Sequence, residues 1–480
     1  MSTQHERHTK PQLIVLIGCM CGIVVALSQT LIVPLIPDLP HILDTTADNA
    51  SWAVTATLLT AAVATPVSGR LGDMFGKRLM LLVSMGFLLV GAVISALSTG
   101  LVLMVVGRGL QGLAMGAIAL GISVLRDELP TDRVGPGVAK MSATMGIGGA
   151  IGLPLAALVA DKASWQMLFW LTALMAGLCA AAVAALVPES PIKTPGRFDF
   201  IGALGLGVAL VMLLLPITKG GDWGWGNSLT VGLLAGSLVI FVAWGAWELK
   251  RSAPLVDLRV SAAPQVLFTN MASVAVGFAM YGQSLIPIQI VMAPEATGYG
   301  MGMSMTWAGL VLAPSGLMMY LTSSLGAKIT AARGPRVSLA AGISVIALGY
   351  VCLVALRSEI WEVSVATAIV GGGVGIAYAA MPALIMGAVP VTETAAANGL
   401  NSLMRSVGTS LSSAVVAVVL AQNVMKLGDH ELPTDSAFTI VLAISLAASV
   451  VALALTALIP SRRAAASRTS AEEARELTNA

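Results

Sequence analysis

The stretch Gly69-Arg70-Leu71-Gly72-Asp73-Met74-Phe75-Gly76-Lys77-Arg78 decides how this chain is organised. It is a polar run between two apolar stretches, 51–68 and 79–97. It is too short to form a domain, and it carries too many charges to lie in lipid. Its three glycines permit a tight turn with close backbone approach. Asp73, Lys77 and Arg78 can pair with one another or with helix ends.

The composition places the chain among polytopic membrane proteins. Hydrophobic residues make up 57% of the sequence and charged residues 10%, whereas an average soluble protein is about 25% charged. The net charge of +2 is small and says nothing about nucleic acid, but no run of basic and aromatic residues suggests it, so we expect no nucleic-acid partner. The four cysteines lie in apolar runs with no CxxC pair and no nearby histidine, so we expect buried packing residues, with no metal and no cofactor.

A membrane-spanning helix needs about 20 mostly apolar residues. The sequence predicts fourteen such helices, at 12–33, 51–71, 79–97, 101–125, 138–159, 166–187, 200–217, 229–247, 265–291, 305–327, 337–356, 363–388, 398–421 and 438–459. The seventh is short and ends near Pro216. An all-α protein of six, two and six crossings follows. It has an N-terminal bundle (12–187), a linker with two extra helices (188–264), a C-terminal bundle (265–459) and a polar tail (460–480).

Fourteen crossings put both termini on one side of the membrane. Twenty of the 26 lysines and arginines fall in loops on the side of the termini, and four fall in the opposite loops. Because cytoplasmic loops carry the excess of positive charge, we expect both termini and the stretch 69–78 in the cytoplasm. The predicted location is the cell membrane.

The stretch 69–78 resembles the signature loop between the second and third helices of the major facilitator superfamily, G-x-L-a-D-r-x-G-r-r/k. Gly69, Leu71, Asp73, Gly76 and the cations Lys77 and Arg78 all match. A second stretch, 106–112, resembles the R-x-x-q-G motif of the fourth helix through Arg108, Gln111 and Gly112. Fourteen helices with an extra pair between the halves are similar to the drug:proton antiporter branch of that family.

Two other signatures of that branch are matched in part. The first-helix motif has an aspartate where this chain has Ser28, followed by Gln29 and Thr30. The fifth-helix antiporter motif keeps two glycines four residues apart, Gly148 and Gly152, and its proline is displaced to Pro154. Small residues still allow close contact between helices.

Charge at membrane depth is costly, about 2.5–3.5 kcal/mol on insertion scales. No Asp, Glu or His falls in the middle of a predicted helix, which leaves Arg108 and Arg405. The resemblance implies that Arg108 takes part in the cavity or in proton transfer, and the alternative is a fixed clamp between helices. Its guanidinium can be held by backbone carbonyls, by Gln111, by Ser28 and Gln29, or by an anionic group of the substrate. Arg405 lies near the cytoplasmic end of its helix, where it can snorkel towards water.

In the resembled family the loop aspartate docks on the N-terminus of a helix in the other half. Here that helix is the thirteenth, starting near Asn398. The predicted latch closes the cytoplasmic side, and the alternative is a solvated loop with weak pairs. Its members are Gly69, Asp73, Gly76, Lys77, Arg78, Arg126 and Asp127.

Uncharged polar and aromatic residues on the ninth and tenth helices are candidates for lining a substrate cavity, although interhelical hydrogen bonds are equally compatible with each of them. They are Asn270, Tyr281, Gln283, Gln289, Trp307 and Tyr320. An uncharged, methionine-rich pocket suits amphipathic or lipophilic small molecules.

Taken with the resemblance, these features predict a secondary transporter, functional as a monomer, that exports drugs or other amphipathic compounds with protons. The alternatives are a facilitator or uptake carrier for a metabolite and, remotely, a membrane-embedded lipid enzyme. An enzyme needs a polar constellation near one interface, and all four histidines lie outside the predicted helices without a clustered acid. We therefore expect no enzymatic activity, no catalytic residue and no metal site.

Overall fold

The computed structural model describes residues 11–36, 38–162, 164–190, 193–194, 196–427 and 430–460. It is a bundle of long α-helices, which confirms the predicted all-α membrane class. In chain order the helices are α1 (Pro11–Thr30), α2 (Leu39–Ile42), α3 (Ala47–Ala50), α4 (Trp52–Phe75), α5 (Lys77–Ala96), α6 (Leu101–Leu113), α7 (Ala117–Glu128), α8 (Thr131–Lys162), α9 (Gln166–Leu186), α10 (Phe200–Trp223), α11 (Ser228–Glu248), α12 (Leu258–Ser261), α13 (Pro264–Met292), α14 (Met305–Arg333), α15 (Pro335–Ala355), α16 (Ile360–Met386), α17 (Thr394–Gln422) and α18 (Asp435–Leu458).

Thirteen spans in the described part of the chain are long and apolar enough to cross a membrane. One of them, Leu101–Glu128, joins α6 and α7 through a single turn of 3-10 helix at Ala114–Gly116. The predicted fifth crossing lies within α8, which is not among the thirteen. With 32 residues α8 is about 48 Å long, and it packs lengthwise against α14 and α1. The count of fourteen crossings stays a prediction.

Five predicted helix ends differ from the structure by four residues or more, at 71, 138, 217, 327 and 398. The seventh crossing does not end near Pro216, because α10 runs on to Trp223 with that proline inside. A proline removes one backbone hydrogen bond, and a membrane helix tolerates the loss where neighbouring groups satisfy the freed carbonyl. The second crossing does not end at Leu71, because α4 continues to Phe75. Asp73 therefore belongs to the last turn of a helix and not to a loop.

A short β-hairpin between α17 and α18 is absent from the sequence prediction. Strand β1 (Val424–Leu427) pairs antiparallel with β2 (His430–Pro433). The Tyr299 hydroxyl donates to the Pro433 carbonyl over 2.5 Å and fastens the hairpin to the loop after α13. Strands of four residues give too little alternation for a sequence to reveal them.

The apolar core is divided between the two ends of the sequence. One set of clusters joins α1, α5, α7, α8 and α9, and another joins α13 to α18. The two sets meet along two seams, where α8 packs on α14 and α4 packs on α17. Helix α10 lies across the second seam, with Leu206 and Leu210 in one cluster with Leu59 of α4 and Leu403 of α17. The division into bundles at 187 and 265 remains a prediction, and the tail 461–480 lies outside the described residues.

Candidate functional site

The motif stretch 69–78 makes its turn at a single residue. Gly76 has φ +116°, a conformation that favours glycine, and it ends α4 and begins α5. A side chain there would also clash with the Glu189 carboxylate. Because the turn is so short, Asp73 and Lys77 lie on either side of it. They are both buried, and their charged groups are 3.8 Å apart.

Asp73 binds the N-terminus of α17. Its carboxylate accepts the backbone N–H groups of Ala395 over 3.3 Å and of Ala396 over 3.0 Å. Those groups belong to the first turn of α17, where backbone donors have no partner within the helix and the helix dipole favours an anion. The predicted docking partner is thus the right helix, but that helix begins at Thr394, one turn before Asn398.

Glycines bring the two helices close enough for this contact. A side chain at Gly69 would clash with the backbone carbonyl of Ala395, and one at Gly399 would lie 2.8 Å from the Thr65 carbonyl. Both positions lie in the α4–α17 seam within two turns of Asp73. Small residues at these sites therefore set the distance at which Asp73 reaches the N–H groups.

Three other predicted latch residues, Lys77, Arg126 and Asp127, make polar contacts near Asp73. The Lys77 ammonium pairs with Asp127 over 2.5 Å, with both side chains fully buried. Arg126 crosses to the other half, where it donates to the Thr394 hydroxyl and, over 3.1 Å, to the Met386 carbonyl at the end of α16. Arg78 points away and donates to the Ala184 carbonyl of α9 over 2.6 Å. We call the end of the bundle that carries these contacts the motif end.

Arg108 is 1% exposed and is held by neutral acceptors. It donates to the Ser28 carbonyl of α1 over 2.8 Å, to the Ala53 carbonyl of α4 over 3.2 Å and to the Gln111 side chain over 2.7 Å. Gln111 in turn donates to Ser95 of α5 over 3.0 Å. One guanidinium thus ties α6 to α1 and α4 and, through Gln111, to α5, as expected for a clamp between helices.

The three first-helix candidates take different roles. The Ser28 hydroxyl donates to the Val25 carbonyl over 2.7 Å, so only the backbone of Ser28 reaches Arg108. Gln29 does not bind Arg108, and its buried amide nitrogen has no partner among the described residues. Thr30 donates to the Leu27 carbonyl and, over 3.3 Å, to the Gly148 carbonyl of α8.

The partly matched antiporter motif on α8 faces two neighbours. Side chains at Gly148 and Gly152 would clash with Ala26 and Thr30 of α1, so these glycines allow α1 and α8 to touch. Pro154 lies against Gly309 of α14, where an added methyl group would be 3.2 Å from the proline nitrogen. Gly149 has no neighbour at its Cβ position and faces open space.

That open space is a cleft between the two halves of the chain. Helices α1, α8, α13, α14 and α16 line it, through residues that include Thr30, Gly149, Gln283, Ser315, Met319 and Val374. The space between them, open solvent included, is about 600 Å³. None of the fourteen lining residues is charged, and three are methionines. The cleft lies in the parts of α1, α13 and α14 remote from the motif end.

Of the residues predicted to line a cavity, the structure brings Gln283 to the cleft, where it donates to Ser315. Asn270 is buried elsewhere and accepts from Asn401 over 2.9 Å. Tyr281, Gln289 and Tyr320 are half-buried outside the lining set. Trp307 is 58% exposed on the surface of the bundle, so the expectation that it adds aromatic surface to the cavity is not met.

Arg405 does not snorkel to water, because its side chain is 9% exposed within a polar network. It donates to Asn401 and Ser402 over 2.9 Å each, and its guanidinium lies 4.8 Å from the centre of the Tyr378 ring. Asn401 continues the network to Asn270 and Ser273 of α13. The sequence signal for this network was Arg405 itself, with Asn401 one turn before it on the same helix face.

Two groups of long apolar helices, joined by a polar contact at one end and parted by a cleft further along, are typical of transporters that work by alternating access. The chain belongs to the Major Facilitator Superfamily, whose family model matches residues 18–412 and 267–479. It is 28% identical over 450 residues to an uncharacterized MFS-type transporter from Mycobacterium tuberculosis. The aligned region covers 87% of this chain and 64% of that protein. The chain thus spans about two thirds of that relative's length.

Two further comparisons agree with this family. The multidrug resistance protein Stp, also from Mycobacterium tuberculosis, is 25% identical over 416 residues, covering 86% of this chain and 76% of Stp. The crystal structure of the human organic anion transporter TETRAN superposes with a TM-score of 0.65 at 12% identity, over 93% of this chain and 99% of that one. This second likeness shows the fold alone.

Proposed function

We propose that this protein is a secondary transporter that exports amphipathic or lipophilic small molecules across the cell membrane by alternating access. The observation that carries the proposal is the docking of Asp73 on the first turn of α17, with a cleft between the same two halves further from the motif end. A contact that closes one end while a cleft remains beyond it is what one state of such a cycle requires.

The cycle needs this contact to break and to form again. When the halves separate at the motif end, Asp73 leaves the N–H groups of α17 and Arg126 leaves Thr394 and Met386. The α8–α14 seam can serve as the pivot, because small residues such as Gly146 and Gly316 keep the helices in close contact there. The positive charges in the loops support a cytoplasmic motif end, with both termini inside. The structure is then the state closed to the cytoplasm.

The relatives and the cleft support the substrate class. Stp is described as a multidrug resistance protein, and the cleft here offers methionines, glycines and a few neutral polar groups. Methionine side chains adapt to ligands of different shape. We infer the same kind of substrate for this chain, with the lipid bilayer as its environment and one copy of the chain as the working unit.

Proton coupling is the second part of the proposal and follows from the antiporter-like motifs. The experiment uses proteoliposomes with an imposed pH gradient and the neutral amphipathic dye pyrenebutanamide. Concentrative export should stop when a protonophore collapses the gradient, and export that persists would show another driving force. Movement of dye only down its own gradient would show facilitated diffusion, an alternative favoured by the lack of any titratable side chain among the cleft-lining residues.

A further inference from the structure

The middle of the helix bundle, away from the helix ends, carries positive charge without acidic partners among the described residues. In the described part of the chain, every aspartate and glutamate lies in a loop, in the hairpin strand β2 or in the first or last turn of a helix. Arg108 and Arg405 are buried away from helix ends, and their hydrogen-bond partners among the described residues are neutral. The centre of the bundle is therefore electropositive, and buried charges act over longer distances than solvated ones because they are screened less.

The two arginines differ in whether a buried N–H donor is left without an acceptor. Arg108 uses Nε and Nη1 on three acceptors and is 1% exposed. Arg405 uses Nη1 and Nη2 on Asn401 and Ser402, which lie on its own helix, and its buried Nε has no partner among the described residues. A buried cationic donor without an acceptor is costly, and a ligand oxygen would satisfy it.

Arg405 lies beside the cleft, on the side of the motif end. The Tyr378 ring under its guanidinium is one helical turn from Val374, a lining residue. The Tyr378 hydroxyl donates to the sulfur of Met280 over 3.0 Å, and Met280 is also a lining residue. A shift of Tyr378 or Met280 would therefore extend the cleft to the guanidinium.

We propose that the cleft selects substrates that carry a negative group such as a carboxylate, with Arg405 as the side chain that binds that group. The inference rests on the proposed transport function and narrows its substrate class to amphipathic anions. A cation of the same shape meets two buried arginines with no acid to offset them, so it is disfavoured. A neutral molecule gains only the apolar contacts.

The test compares three probes with one apolar body. These are pyrenebutyrate (anion), pyrenebutanamide (neutral) and pyrenylbutyl-trimethylammonium (cation), whose binding to the purified full chain is followed by pyrene fluorescence. The intact protein should bind the carboxylate at least tenfold more tightly than the cation. Arg405→Gln should weaken carboxylate binding at least tenfold and leave amide binding within twofold. Arg405→Lys, which keeps the charge, should retain most of the preference even if the glutamine variant folds poorly.

The matched control is Arg133→Gln, which makes the same substitution at a side chain that is 55% exposed. It should leave binding of all three probes unchanged. Equal binding of the three probes by the intact protein, or preference for the cation, would overturn the charge inference and leave the transport proposal standing. An unchanged carboxylate affinity in Arg405→Gln would remove Arg405 from the site. If no probe binds, the amphipathic substrate class fails together with the charge preference.

Discussion

Asp73→Asn tests whether the docking of α4 on α17 controls the state of the transporter. Asparagine has the same shape but offers one acceptor oxygen, and its amide group would face the second N–H group of α17. The variant therefore loses a hydrogen bond to a charged acceptor, which contributes roughly 1.5–3 kcal/mol. It also loses the attraction between a carboxylate and the helix N-terminus, about 0.3–2 kcal/mol.

These two contributions overlap, because the same N–H groups carry much of the dipole. We take their combined loss as roughly 2–3 kcal/mol. Because 1.4 kcal/mol corresponds to a tenfold change in an equilibrium constant, the ratio of closed to open protein should fall about 30- to 140-fold. Lys77 should not move to replace the lost contact, because its ammonium stays paired with the Asp127 carboxylate, 2.5 Å away.

Pulsed electron paramagnetic resonance measures this shift directly. Spin labels at Leu79→Cys and Arg333→Cys, both exposed in the intact protein, report the distance between the halves at the motif end in a background without the four native cysteines. Asp73→Asn should add a population at longer distance. Asp132→Asn is the control, because that carboxylate is 78% exposed in a weak pair at the same end. An unchanged distance distribution in Asp73→Asn would refute the reasoning.

Two other substitutions separate clamp from cleft. Arg108→Ala removes three hydrogen bonds from a charged donor, each of roughly 1.5–3 kcal/mol, but it also removes a buried charge whose desolvation cost opposes them. We therefore expect the variant to fold, as checked by thermal unfolding, and to lose transport, as checked by dye flux. Normal flux would exclude a role of Arg108 in the transport cycle. Gly149→Leu places a side chain into the empty part of the cleft. It should reduce dye binding at least tenfold with little change in melting temperature. Unchanged binding would show that the substrate binds outside the cleft.

The sequence predicted most of the crossings because twenty apolar residues have one outcome in lipid, a helix whose backbone groups bond to one another. It failed at Pro216, where proline alone does not end a membrane helix, and at the hairpin 424–433, whose strands are too short to alternate visibly. It placed Asp73 on the correct helix through the family resemblance, but it did not show that Asp73 lies within α4.

The predicted site residues divide in the same way. Arg108 and Gln111 are neighbours on one helix turn, so their contact follows from their spacing. The lining of the cleft does not follow, because it depends on which face of each helix turns inward, and nearly every face here is apolar. Gln283 lies in the cleft and Trp307 on the outer surface for this reason, although both are plausible cavity residues by type.

The motif stretch by itself indicated the family, because its glycine spacing and charges match the family signature, and that resemblance implied the docking of Asp73 on a helix N-terminus. The tertiary structure alone decided that the turn is one residue long, that Asp73 meets Ala395 and Ala396, and that Arg405 is buried with Nε unpaired. These contacts join residues more than a hundred positions apart or depend on burial, and no local pattern records which helix faces meet when two bundles pack.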